Sequence, residues 1–149
     1  VYASYGGTAH VPYIYAHDND YGVVAEYSSH ITFDYALFEN NISGAYFSWT
    51  SSGLGNRAES NANSNAGYET HHGSSAHLAN SSADGNTYGI FSTACSHGYG
   101  KETAATSTAV GYYAGYLSYV NAAFTTVSGN GTDYNLSALS TTTGGVISW

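Results

Sequence analysis

Charge is scarce in this chain. Lys, Arg, Asp and Glu make up 8% of its 149 residues, where about a quarter is usual. Only Arg57 and Lys101 are basic, against ten acids, for a formal net charge of −8. Phosphate recognition needs clustered Lys or Arg that release counterions, so nucleic acid is excluded as a partner, and a polybasic membrane-surface site with it. Long apolar runs are missing too. Stretches such as Ala36-Leu37-Phe38 are far too short for a membrane span, and any export signal is expected to have been removed before Val1. A single cysteine, Cys95, excludes an intrachain disulfide. It reads either as a small buried side chain beside Ala94 or as a reactive thiol or interchain link. No stretch repeats apolar residues at i, i+3, i+4 and i+7 over three turns, so little helix is expected.

Signatures of catalysis are also lacking: no G-x-S-x-G elbow, no H-E-x-x-H, no phosphate-binding loop and no dinucleotide fingerprint. Serines, acids and histidines are so plentiful that a triad can be drawn anywhere, which removes its meaning. No enzyme activity and no catalytic residue are expected.

Small residues and tyrosine fill the space left by charge, with 18 Gly and 16 Tyr. In His97 to Gly115 the residues Thr103, Ala105, Ser107, Ala109 and Gly111 alternate along an extended chain. A column of tiny side chains suits backbone layers stacked closely on one another, as in solenoids and rolls. The same writing occurs from Gly55 to Thr70 and more loosely from Ala76 to Cys95. At GNRAES, GKETAA and STAVG, residues 53–115 resemble the Gly-Ala-Ser repeats of trimeric autotransporter adhesin heads and phage tail-fibre shafts. That resemblance implies an extracellular fibrous protein.

Residues 1–16 place Tyr and Val around Gly6-Gly7 with Pro12 beyond. They read as an edge strand or as a detached strand donated to a neighbouring subunit. In HDNDYG, Asp18 and Asp20 set two carboxylates on a tight loop, as calcium loops begin, although Asp and Asn are also ordinary turn formers. Calcium is the one cofactor the sequence suggests. Ile31, Phe33, Tyr35 and Leu37, then Ala45, Phe47 and Trp49, follow period two, predicting a three-stranded meander from Tyr21. After Trp49 a loop-rich segment is expected. Strands should return at 116–120, 122–127, 132–139 and 145–149, with a tight hairpin at Ser128-Gly129-Asn130-Gly131. The expected fold is one all-β domain, 1–149. It should be an antiparallel sandwich or roll with a loop-rich repeat segment at 53–115 and little helix.

Tyrosine exceeds what one small core needs. Tyr2, Tyr5, Tyr13 and Tyr15, and Tyr112, Tyr113, Tyr116 and Tyr119, are candidates for subunit contacts or sugar stacking, since a ring half buried with its hydroxyl wet suits an interface. Four N-x-S/T triplets, at Asn41, Asn80, Asn130 and Asn135, are candidate glycan acceptors. His72, His77 and His97 would be the ligands of any zinc site, though a flexible Gly-Ser segment presets no geometry. The set points to an extracellular, cell-surface or virion-surface protein. Its expected role is a filament or fibre subunit contacting copies of itself as a polymer or trimer, and the alternative is an adhesin or tail-fibre module recognising glycans.

Overall fold

The structure, a computed structural model, describes residues 1–101, 103–106, 108–122, 125–136, 141–143 and 146–147. Every regular element among them is a β-strand. The strands form three faces. The first holds Tyr2–Ala3, Tyr21–Ala25, Ser43–Phe47, Ala66–Thr70, Tyr88–Ser92, Val110–Ala114 and Thr132–Leu136. The second holds Thr8–His10, His30–Thr32, Ser52–Asn56, Ser75–Ala79, His97–Lys101, Tyr119–Asn121 and Thr141–Thr143. The third holds Tyr15–His17, Leu37–Glu39, Glu59–Asn61, Ser82–Asp84, Ala104–Thr106, Thr125–Ser128 and Val146–Ile147.

The chain visits the three faces in order and returns to the first, and each strand pairs in parallel with the strand one circuit away. Tyr21 lies against Ser43 and Ala66 against Tyr88, a repeat of 22 residues. Ser43 lies against Ala66 and Ser52 against Ser75, a repeat of 23. The extra residue sits at Ser64-Asn65, whose amides donate to Asn41 and Ile42 carbonyls at 2.9 and 2.8 Å. The fold is thus a parallel β-solenoid, all-β as expected but not an antiparallel sandwich or roll. Alternation within a strand is the same for either pairing, and the partner lies a whole circuit away rather than across a local turn.

Three local expectations fail for that reason. Ser128 to Gly131 forms no hairpin, because Thr125–Ser128 and Thr132–Leu136 belong to different faces. The meander is instead one full circuit: Tyr21–Ala25 and Ser43–Phe47 are parallel neighbours on the first face, and the stretch between them runs over the second and third faces. The described residues of 53–115, expected to be loop-rich, are as regular in strands as the rest. Residues 1–16 form the first rung, paired on all three faces. Of the expected later strands, residues 123–124, 137–140, 144–145 and 148–149 lie outside the described residues, as does Ser107 of the small-residue column.

Left-handed residues make the corners. Between the first and second faces stand the pairs Tyr5-Gly6, Tyr27-Ser28, Trp49-Thr50, His72-Gly73, Ala94-Cys95 and Tyr116-Leu117, all with positive φ. A non-glycine residue in this region costs about 1–2 kcal/mol. Rung-to-rung hydrogen bonds offset the strain by continuing around the bend: Ser28 N–H donates to Trp49 O at 2.9 Å, Thr50 to His72 at 3.0 Å and Cys95 to Tyr116 at 3.0 Å. A corner residue also resets the in-out alternation. Ile31 and Phe33 point inward, but Tyr35 (φ 55°) turns outward, and Ala36 and then Phe38, not Leu37, resume the core. Trp49 is likewise an exposed corner residue, and so is Cys95, contrary to its reading as a buried side chain.

The interior is built of columns. Gly22, Gly44, Gly67, Gly89 and Gly111 stand over one another on the first face, where an added Cβ would meet the backbone carbonyl of the next rung. Phe33, Phe38, Phe47 and Tyr68 fill the core of the early rungs, and Gly53 and Gly55 leave room for the rings of Phe47 and Phe33. Tyr68 shares its hydroxyl proton between Ala58 O and Ser82 O, and burial pushes that phenol far above its usual range. At the third corner the buried side chains of Asn41, Asn63 and Asn86 form a ladder that satisfies the backbone: Asn19 N–H donates to Asn41 Oδ1, Asn41 N–H to Asn63 Oδ1, and Asn63 N–H to Asn86 Oδ1, at 3.0, 3.0 and 2.8 Å. Such ladders suit identical side chains stacked in register.

Substituting Gly89→Ala should cost about 3 kcal/mol, because the new methyl carbon would sit 2.5 Å from Gly111 O and 2.7 Å from Ala105 Cβ. At Gly6, with φ +78° and no atom within 4 Å, alanine should cost only the left-handed penalty of about 1–2 kcal/mol. Urea denaturation of both variants checks the order; equal losses would refute the close-stacking account of the glycine column.

Candidate functional site

The corners present the most unusual chemistry. At the first corner Tyr5, Tyr27, Trp49 and His72 occupy equivalent left-handed positions on four successive rungs, so their rings superpose. Centroids lie 4.9, 6.2 and 4.2 Å apart with interplanar angles of 6°, 6° and 3°. At the second corner Tyr13 stacks on Tyr35 at 5.1 Å, and Arg57 lies 5.5 Å from the Tyr35 centroid while donating from Nη1 to its hydroxyl at 3.0 Å. Stacked aromatic contacts of this kind add about 0.5–1.5 kcal/mol beyond area burial. Large flat rings held in strained, exposed positions point to a use beyond packing.

The outer side of the first face carries a second aromatic row. Tyr21 meets Tyr46 at 4.9 Å, and Phe91 stacks on Tyr113 at 4.7 Å with 8° between planes. Glu69 interrupts the row. Its buried carboxylate accepts from Ser43 Oγ and Asn65 Nδ2 and pairs with His71 Nε2 at 2.6 Å. Here the acid sits between serine and histidine, so the histidine does not activate the serine as a nucleophile would require.

Of the expected interface tyrosines, Tyr2, Tyr5, Tyr13 and Tyr15 are all exposed and all on the first rung, and Tyr116 is exposed at the first corner. Tyr113 and Tyr119 are half buried on the first and second faces. Tyr112 is fully buried, with its hydroxyl donating to Thr103 O, and burial holds its phenol well above the ordinary range. It is a core residue rather than an interface one, because neighbours in a strand point to opposite sides. Tyr2 and Tyr15 donate to Glu26 and Glu39, and those bonds to carboxylates raise both phenols.

Asp18 and Asp20 are exposed and line an open groove of about 410 Å³ at the third corner with Asn19, Asn40 and Asn41. Asp18 pairs with His17 Nδ1 at 2.7 Å. No group of three or more His, Cys, Asp or Glu placed to hold a metal occurs among the described residues. His72 is stacked at the first corner, while His77 and His97 lie on the second face, where they pack on Tyr99 at 4.4 and 6.3 Å. Of the sequon asparagines, Asn80 and Asn135 are exposed and Asn130 is half buried in contact with Thr108. Asn41 is buried, its Nδ2 donating to Ala16 O and Asn63 Oδ1. That engagement removes it as a glycan acceptor in the folded chain.

Sequence reasoning missed Tyr27, Tyr35, Arg57 and Glu69. The signal that would have found the first three is the 22-residue spacing of Tyr5, Tyr27 and Trp49 and of Tyr13, Tyr35 and Arg57. Comparison of the chain with protein-family models, curated proteins and solved structures finds no match.

His77 titrates below the ordinary histidine range, because burial and then the neighbouring His97 disfavour its charged form. The unfolded chain therefore binds more protons in the window below about pH 6.5. Stability should fall as pH drops through that window and level off below the folded value. Replacing His77→Gln should flatten this part of the profile, as read from urea midpoints between pH 7.5 and 5; an unchanged slope would assign the acid sensitivity elsewhere.

Proposed function

We propose that the chain is a structural segment of an extracellular fibre or filament that associates with copies of itself along the solenoid axis. The observation that carries this reading is the first rung. Four exposed tyrosines, Tyr2, Tyr5, Tyr13 and Tyr15, share it with the sheet-edge strands Tyr2–Ala3, Thr8–His10 and Tyr15–His17. A copy stacked there would extend three parallel sheets and two aromatic ladders at once. A contact between unlike surfaces propagates rather than closes, which is the route to a filament. Scarce charge suits the same role, since salt would have little to screen and trypsin-like proteases few sites. No catalytic residue enters this reading.

Surface recognition of glycans is the second reading, favoured by the aromatic row of Tyr21, Tyr46, Phe91 and Tyr113 on the outer first face. Calcium at Asp18 and Asp20 would belong to it, and chelation would then abolish glycan capture.

Electron microscopy of the native chain at neutral pH should show uniform unbranched filaments, and Tyr5→Ala with Tyr13→Ala should shorten them or shift sedimentation toward monomer. Monomers alone at high concentration would overturn the filament reading, and binding on a glycan array would then support the second.

A further inference from the structure

We propose that the corner tyrosine pairs Tyr5–Tyr27 and Tyr13–Tyr35 are oxidative cross-linking sites, each able to become a dityrosine that ties one rung covalently to the next. Both rings of each pair lie within one chain, so the proposal goes beyond the filament reading and does not depend on assembly.

Three features single these pairs out. The first is proximity: the centroids are 4.9 and 5.1 Å apart with interplanar angles of 6° and 14°. The φ values match within each pair, 52° with 55° and 58° with 55°, so the side chains leave the backbone at equivalent corner positions. The second is access, with exposures of 81% and 42% for Tyr5 and Tyr27 and of 75% and 43% for Tyr13 and Tyr35. The third is that other tyrosine pairs lack one requirement or the other. Tyr112 stacks on Tyr134 at 5.5 Å but is buried, Tyr21 and Tyr46 are tilted by 41°, and Tyr99 meets Tyr119 at 6.0 Å and 61°. Arg57 steadies the Tyr35 ring through its bond to the hydroxyl.

The chemistry balances with a peroxide oxidant. Each phenol gives up one electron and one proton, leaving two phenoxyl radicals held side by side. A carbon–carbon bond forms between the ring carbons ortho to the two oxygens. The hydrogens on those carbons then move to the oxygens and restore both aromatic rings. The two electrons and two protons reduce one hydrogen peroxide to two waters, with a haem peroxidase as the one-electron relay. Pre-alignment favours coupling within the pair over encounter between chains.

The test uses the full chain in a Cys95→Ser background, because the exposed thiol would quench tyrosyl radicals. At dilution, with a haem peroxidase and limiting hydrogen peroxide, the monomer fraction should gain dityrosine fluorescence and lose two hydrogens per link. Peptide mapping should place the links at Tyr5–Tyr27 and Tyr13–Tyr35, and the linked chain should unfold at higher urea. Tyr5→Phe should remove only the first link and Tyr13→Phe only the second. The double variant, still folded by circular dichroism, should lower intrachain dityrosine by about tenfold or more. No intrachain dityrosine, links spread evenly over other tyrosines, or the same two links in equal yield from urea-unfolded chain would each overturn the proposal.

Discussion

Parallel, in-register stacking at about 4.8 Å per rung is the constraint from which the rest follows. Each strand residue lies over its counterpart one circuit away, so every position must tolerate the chemistry of its own column. Glycine at 22, 44, 67, 89 and 111 answers the closest approach, where a side chain would meet the next rung's carbonyl. Asparagine at 41, 63 and 86 answers the third corner, where the amides of Asn19, Asn41 and Asn63, turned away from the sheets, need acceptors at the same repeat. A buried amide left without one would cost about 1–3 kcal/mol.

The scarcity of charge has its explanation here. Like charges directly opposite each other across a strand pair are destabilising, and a solenoid would repeat any such column along its length. The strand acids avoid one another: Glu39 lies against Asn61, Asn61 against Asp84 and Asp84 against Thr106, while Glu59 stands between Leu37 and Ser82 and Glu69 between Tyr46 and Phe91. Neutral polar and aromatic residues stack without that cost. The surface is therefore written in Ser, Thr, Asn and Tyr, and ring stacking dominates its exposed contacts.

Corners set which residues reach that surface. A left-handed residue turns the chain while its amide stays in the ladder, and its side chain is thrown outward. Tyr27, Tyr35, Trp49 and Arg57 are exposed for this reason, and the aromatic and cationic contacts at the corners are the outer counterpart of the hydrogen-bonded columns within.

Local preference alone determined that this chain is β and not helical, that small side chains allow close backbone stacking, and that tyrosine outnumbers the needs of a core. Those properties depend on residues within a few positions of one another, so they are legible without a fold. The tertiary structure decided what each strand pairs with. Alternation in Ile31-Thr32-Phe33 fits antiparallel or parallel neighbours equally, and only a partner 22 residues away makes the sheets parallel. It also decided inside from outside: Tyr112 is core while Tyr113 faces outward, and Asn41 is a buried rung of a ladder rather than a surface acceptor. The repeat itself was obscured because Gly53 and Gly98 belong to the second face, Gly67 and Gly111 to the first, and Gly85 to a corner. Read in one series they drift; read face by face they superpose, because superposition is a property of the closed circuit and not of any local stretch.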